Sequence, residues 1–248
     1  MFISTDHLAI NYGVDDKIAR FFVDREPPVN NLYWKGKLLY LRPAVGYLFI
    51  PLIVDLLYKS GIDRQQLLSE QFVTTMEQIG HISALEETKQ ISQKEAIEQC
   101  ATLVETITIN KEWFTKLKAY FSNLETSEFR SKASAFKALH RGDVFLFSLN
   151  LLDFPEALFV KIIEQWFALI TTLLLLDDAE DIKIDKEAGE ENAFLESGLN
   201  ADGLDKIREL VKQNLHTINS VNPSLSRTLQ GQYNVKVEKV IIQPLLSK

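Results

Sequence analysis

From Glu156 to Leu176 the chain runs without a proline or a glycine, and from Gln165 to Leu176 it carries no charged side chain. A helix that is apolar all round has no face to give to water and must be buried on every side. That segment is therefore expected to be a central helix with other elements packed around it. A second uncharged apolar stretch runs from Pro43 to Val54. Each is about 12 residues long, whereas a bilayer needs roughly 20. Both are read as core helices, with no transmembrane segment.

The rest of the sequence agrees with a helical chain. Among 248 residues there are only 10 glycines and 7 prolines, too few for the turns of a many-stranded sandwich. Apolar residues recur at helical spacing over Ile62–Ile79, through Leu67, Leu68, Phe72, Val73 and Met76. They recur again over Ala101–Leu124, through Leu103, Ile107, Trp113, Phe114, Leu117 and Phe121. Glu128–Ala138 and Asp205–Ile218 are further helical candidates, and Pro155 sits where a helix would restart. The charged stretch Ser83–Glu98 reads either as a solvated helix or as a connection. Pro27 and Pro28 break any helix around them, and Pro43 and Pro51 mark helix starts or kinks. The tail Tyr233–Ile242 alternates as a short strand does. No linker composition divides the chain, so residues 1–248 are expected to form one all-helical domain.

The net charge is -7, with no dense run of Lys and Arg, which argues against a nucleic-acid partner. One cysteine, Cys100, excludes an intrachain disulfide and a cysteine-rich zinc site. It is read as a small buried hydrophobe. The N-terminus lacks the basic and apolar regions of a signal peptide, and the expected location is cytoplasmic. The histidines His7, His81, His140 and His216 are scattered. Neither Glu-x-x-His, His-Glu-x-x-His nor a glycine-rich phosphate loop occurs.

The chemically loaded feature is where the apolar helix ends: Asp177-Asp178-Ala179-Glu180-Asp181. If the helix continues through residue 187, Asp177, Asp181 and Asp185 share one face and Asp178 lies on an adjoining row. Like charges at that spacing repel by about 0.2–0.5 kcal/mol per pair. A hard divalent cation is a direct way to relieve them. The plainer reading is a helix emerging into water, its acids balanced by Lys183 and Lys186.

The segment Leu176–Asp181 resembles the DDxxD motif of the class I isoprenoid synthases, in which an apolar helix leads into the acids and basic residues follow. The resemblance covers roughly residues 140–200. It implies an all-α single-domain bundle or barrel of that type around an apolar cavity. It also implies Mg²⁺ held by Asp177, Asp178 and Asp181, and a prenyl diphosphate substrate ionised for transfer or cyclisation; a homodimer is among the assemblies considered. Lys137 and Arg141, at i and i+4, are candidates for contacting diphosphate. Against that stands the plain reading of a helix end closed by Gly142. Phe145, Phe147 and Trp166, with Phe159 and Phe167, are candidates for the cavity wall. A first acidic motif is not matched: Asp15-Asp16 lacks its third acid, Glu86-Glu87 has no buried lead-in, and Asp55 stands alone. Two functions follow, a Mg²⁺-dependent prenyl transferase or terpene cyclase, and a non-catalytic helical binding protein that kept the fold.

Overall fold

The computed structural model describes residues 4–26, 28–33, 45–122 and 129–242, and the side chains at 45–47 and 239–242 are outside that description. The expected breaker at Pro27 and helix start at Pro43 fall outside the described residues, as do Leu124 and Glu128. The described residues are helical with no strand. In order they are α1 (Thr5–Tyr12), α2 (Asp16–Asp24), α3 (Val45–Lys59), α4 (Arg64–Leu67), α5 (Glu70–Glu87), α6 (Gln93–Glu105) and α7 (Lys111–Phe121). Three 3₁₀ segments follow, Lys137–His140, Asp143–Leu151 and Glu156–Leu158. Then come α8 (Phe159–Ala188), α9 (Ala193–Glu196), α10 (Ala201–Asn219) and α11 (Pro223–Tyr233).

The centre is α8, a 30-residue helix packed mainly against α3 and α10. Its N-terminal two thirds is buried almost residue for residue from Ile162 to Leu176, as its composition requires. Taken with the turn before it, Glu156–Ala188 is long and apolar enough to cross a bilayer, more than its 12-residue uncharged stretch suggests, and 72% of its apolar window is buried inside the fold. The buried apolar residues, from Leu8 in α1 to Val237 after α11, form one contiguous cluster.

Local chemistry sets the helix boundaries, and several differ from the periodic pattern. Ile62–Ile79 is two helices, because the Ser69 side chain accepts from Phe72 N–H and opens α5. Ala101–Leu124 is likewise split, with Asn110 accepting from Trp113 N–H to open α7. Ser83–Glu98 resolves into the end of α5, a turn, and the start of α6, where Ser92 and Glu95 form a capping box. The described part of the candidate helix Glu128–Ala138 is instead a turn leading into 3₁₀ structure. The tail Asn234–Ile242 is a π-helix rather than a strand. It continues α11 without a break, and its alternation of apolar and charged residues serves a helix end.

Asp55, isolated in sequence, is fully buried and holds the chain ends to the middle. It accepts from Asp15 N–H at 2.8 Å, Lys59 Nζ at 2.8 Å and Asn222 Nδ2 at 2.9 Å. Asn222 also donates to Tyr12 O at 2.9 Å. Gly13, at φ 64°, lets the α1–α2 turn close on this network: a Cβ there would lie 2.6 Å from Asn222 Oδ1.

Candidate functional site: an arginine among carboxylates

The helix α8 does not stop at the acids. It runs on to Ala188 and closes on Gly189 in the left-handed conformation. Asp177, Asp181 and Asp185 therefore do share a face, and the acids lie inside the helix rather than at its negative end.

Asp178 is turned inward and is 1% exposed. Its Oδ1 accepts from Arg141 Nη2, and its Oδ2 accepts from the Ala193 N–H at 2.7 Å. The backbone carbonyl of Asp178 accepts from Asn192 Nδ2 at 2.7 Å. Asn192 also donates to Asp185 Oδ2 at 2.8 Å, and its own Oδ1 caps α9 at Phe194 N–H, 2.9 Å. The second aspartate of the motif thus ties α8, the Arg141 turn and α9 together. Burial raises its carboxyl above the ordinary range, against the pull of Arg141 and the Ala193 N–H.

Arg141 and Lys137 do converge, though not from one α-helix. Lys137 is in a 3₁₀ turn and Arg141 follows it. Arg141 Nη1 donates to Glu191 O at 2.8 Å, and Lys137 Nζ pairs with Glu191 Oε1 at 2.7 Å. Burial opposes the charge on Arg141, but Asp178, Asp177 and Asp185 together keep it firmly protonated. Gly142 is no left-handed cap, with φ −91°. It is small because α8 passes close: a Cβ would stand 2.7 Å from the Ile170 side chain.

Around Arg141 the acids outnumber the bases. Asp177 keeps solvent-exposed surface, yet the protein atoms crowded around it raise its carboxyl. Arg141 pulls it down, while Asp181, Glu87 and Glu180 push it further up. Glu86 is half-buried and also raised, first by burial and then by Glu87 and Glu191, with Arg141 opposing. Glu86 and Asp177 both lie within electrostatic reach of Arg141, and Asp177 also feels Glu87, so acids from the end of α5 and from α8 share the Arg141 neighbourhood. Glu86-Glu87 does have a buried lead-in, since Phe72, Val73, Met76, Ile79 and Ile82 of α5 are core residues. The sequence reading set Glu86-Glu87 aside for want of a buried lead-in and did not single out Glu191 or Asn192. The only signal was α5's apolar periodicity, which the charged stretch after Ser83 obscured.

As placed, the carboxylate of Asp178 is spent on Arg141 and Ala193, and no hydrogen bond to the side chain of Asp177 or Asp181 is found among the described residues. Of the three expected metal ligands, Asp178 points inward, Asp177 is exposed and Asp181 is partly exposed. Among the described residues no group of three or more His, Cys, Asp or Glu side chains is placed to hold a metal ion. The aromatic candidates lie in the packed core: Phe145 is 4% exposed, and Phe147 and Trp166 are 0% exposed. Phe49 meets Phe145 at 5.2 Å and Trp166 at 5.3 Å between ring centroids, and Phe121 stacks on Phe147 at 5.0 Å. Comparison with protein-family models, curated proteins and solved structures finds no match for this chain.

Proposed function

We propose that the protein is a non-catalytic helical binding protein, and that its DDxxD-like segment holds the fold together rather than a metal. The commitment of Asp178 to Arg141 and the Ala193 N–H carries this reading. A Mg²⁺ ligand set built on that aspartate would have to break a buried ion pair and leave the buried Ala193 N–H without its acceptor, each of which costs stability. The recess we take as the candidate ligand surface lies elsewhere, an open groove of about 870 Å³ between α2 and α5. Phe21 and Leu68 contribute its apolar wall, Lys17 and Arg20 lie on one side, and Arg25 is clamped to Glu70 and Glu77 on the other. That volume is within the range of small-molecule sites. Asp24 and Glu26 line it as well, so charges of both signs rim an apolar floor, a pattern that suits a mainly apolar ligand.

A second reading keeps the resemblance to class I isoprenoid synthases, with Mg²⁺ and a prenyl diphosphate at the mouth between α5 and α8. The electrostatic coupling of Glu87, at the end of α5, to Asp177 favours it, because it supplies an acid on a second helix. Calorimetry and product analysis with farnesyl diphosphate, with and without Mg²⁺, separate the two. The binding-protein reading expects no Mg²⁺-dependent ionisation, and any ligand heat to survive Asp177→Ala. Turnover that requires Mg²⁺ and disappears in Asp177→Ala would overturn it.

A further inference from the structure

Two residues beyond Arg141 a second carboxyl is buried about as completely as Asp178, and among the described residues no cation is in hydrogen-bonding contact with it. Asp143 is 2% exposed and opens the 3₁₀ segment Asp143–Leu151, every residue of which is buried. Its Oδ2 accepts from Tyr120 Oη of α7 at 2.5 Å. Its Oδ1 is buried with no hydrogen-bond partner among the described residues. Two further groups face it. Arg130 lies with its guanidinium 5.3 Å from the centre of the Tyr120 ring. His140 places Nδ1 3.8 Å from Asp143 Oδ2, while its Nε2 lies 2.8 Å from the Ser134 carbonyl. A carbonyl only accepts, so Nε2 carries the proton and a neutral His140 turns a bare Nδ1 toward Asp143. From α8 the neighbour is apolar, with Phe167 against the Tyr120 ring at 6.3 Å. Among the described residues no ionisable group of α5, α6 or α8 contributes to the electrostatics of Asp143, although α5 and α6 also pack on its segment.

We propose that Asp143 is a proton-controlled latch: protonated, it lets Asp143–Leu151 stay seated against α5, α6 and α7, and when its proton leaves to solvent the segment loosens. A carboxylate with one hydroxyl donor and one orphaned oxygen is a poor occupant of an apolar segment. The neutral acid is tolerated there far better. Ionisation draws water toward Oδ1, and the path to it lies through the packing of this segment. Arg141, which ties α8 to the turn before α9, is carried on the same stretch of chain, so loosening also reaches the carboxylate cluster.

Burial pushes the Asp143 carboxyl up to about 7, with Tyr120 and Arg130 pulling against it. An unfolded aspartate titrates near ~3.9. The folded state thus holds this proton more tightly, and stability falls as pH rises between those values, then levels off above the folded one. From pH 5 to pH 8 the folding equilibrium constant should drop on the order of 100-fold through this group alone.

The test is hydrogen exchange of the full chain between pH 5 and pH 8.5, corrected for intrinsic rates, together with the ¹³C carboxyl titration of Asp143. Protection of the Asp143–Leu151 amides should fall with rising pH in the wild type and stay flat in Asp143→Asn. Tyr120→Phe, which removes the donor favouring the carboxylate, should move the fall to higher pH, a shift that lost packing alone would not give. If Asp143→Asn does not fold, the wild-type carboxyl titration decides. A midpoint near neutrality supports the latch, and a midpoint below pH 5 overturns it. Protection that is independent of pH in the wild type, or that falls equally in Asp143→Asn, also overturns it.

Discussion

Arg141→Ala would leave Asp178 buried with one backbone donor and no countercharge. Removing one partner of a buried pair costs about 3–5 kcal/mol. Because the Arg141 side chain keeps 34% of its exposure, water can reach part of the site and about 2–3 kcal/mol is the expected loss. Asp178→Asn should cost less, since the amide oxygen still accepts from Ala193 N–H. Asp177→Ala should change stability by no more than about 0.5 kcal/mol, or raise it, because its carboxyl sits under repulsion from Asp181, Glu87 and Glu180. Urea unfolding of the three variants checks this ranking. Equal losses for Asp177→Ala and Asp178→Asn would contradict the separate roles given to two adjacent acids. Adjacency is what sequence shows, and side-chain direction is what it hides. Asp177 and Asp178 are indistinguishable as letters, but the roughly 100° step between neighbours on α8 sends the first to the rim and the second into Arg141. Nothing in the spacing of Arg141 and Asp178, 37 residues apart, announces their pairing.

The elements were legible where one face is apolar and a side chain marks the start. The buried course of α8, the run of α10 and the restart after Pro155 follow from periodicity and breakers alone. Periodicity failed at short interruptions, because an apolar stripe continues across a break whenever both helices pack on the same core. Leu67 and Phe72 are both fully or almost fully buried, on either side of Ser69. The capping residues were the better guide. Ser69→Ala and Asn110→Ala should each cost about 1 kcal/mol, measured by chemical unfolding. Losses near zero would mean that packing alone sets those breaks. Gly142→Ala puts a methyl 2.7 Å from the Ile170 side chain and should cost about 1–3 kcal/mol. Ile170→Val, which removes the Cδ1 atom, should recover part of that loss in a double-mutant comparison. In the sequence the 3₁₀ segment Asp143–Leu151 shows only as an apolar stretch with no helical period. Its form depends on tertiary packing from three helices, which no local pattern encodes.

At the scale of the whole molecule the all-helical class was readable from scarce glycine and proline and from the apolar core segments. The candidate site was readable only as a cluster of charge, since its meaning depends on α5, α9 and the Arg141 turn arriving at one place. Cys100 behaves as expected: it is fully buried and its thiol is pushed up to about 12 by burial. Iodoacetamide at neutral pH should leave it unmodified in the native protein and label it in denaturant, and rapid native labelling would show that α6 opens readily. The length of α8 has a further consequence, during synthesis. Its apolar surface is covered from one side by α3, already made, and from the other by α10, which begins at Ala201 and ends at Asn219. A nascent chain that has reached Ala188 therefore carries a membrane-like segment with half its cover still to be translated. Such a chain is prone to capture by chaperones, by the insertion machinery or by other copies of itself. Chains released at residue 195 should pellet or remain chaperone-bound, and chains released after residue 233 should not, so solubility would be decided by the order in which these helices leave the ribosome.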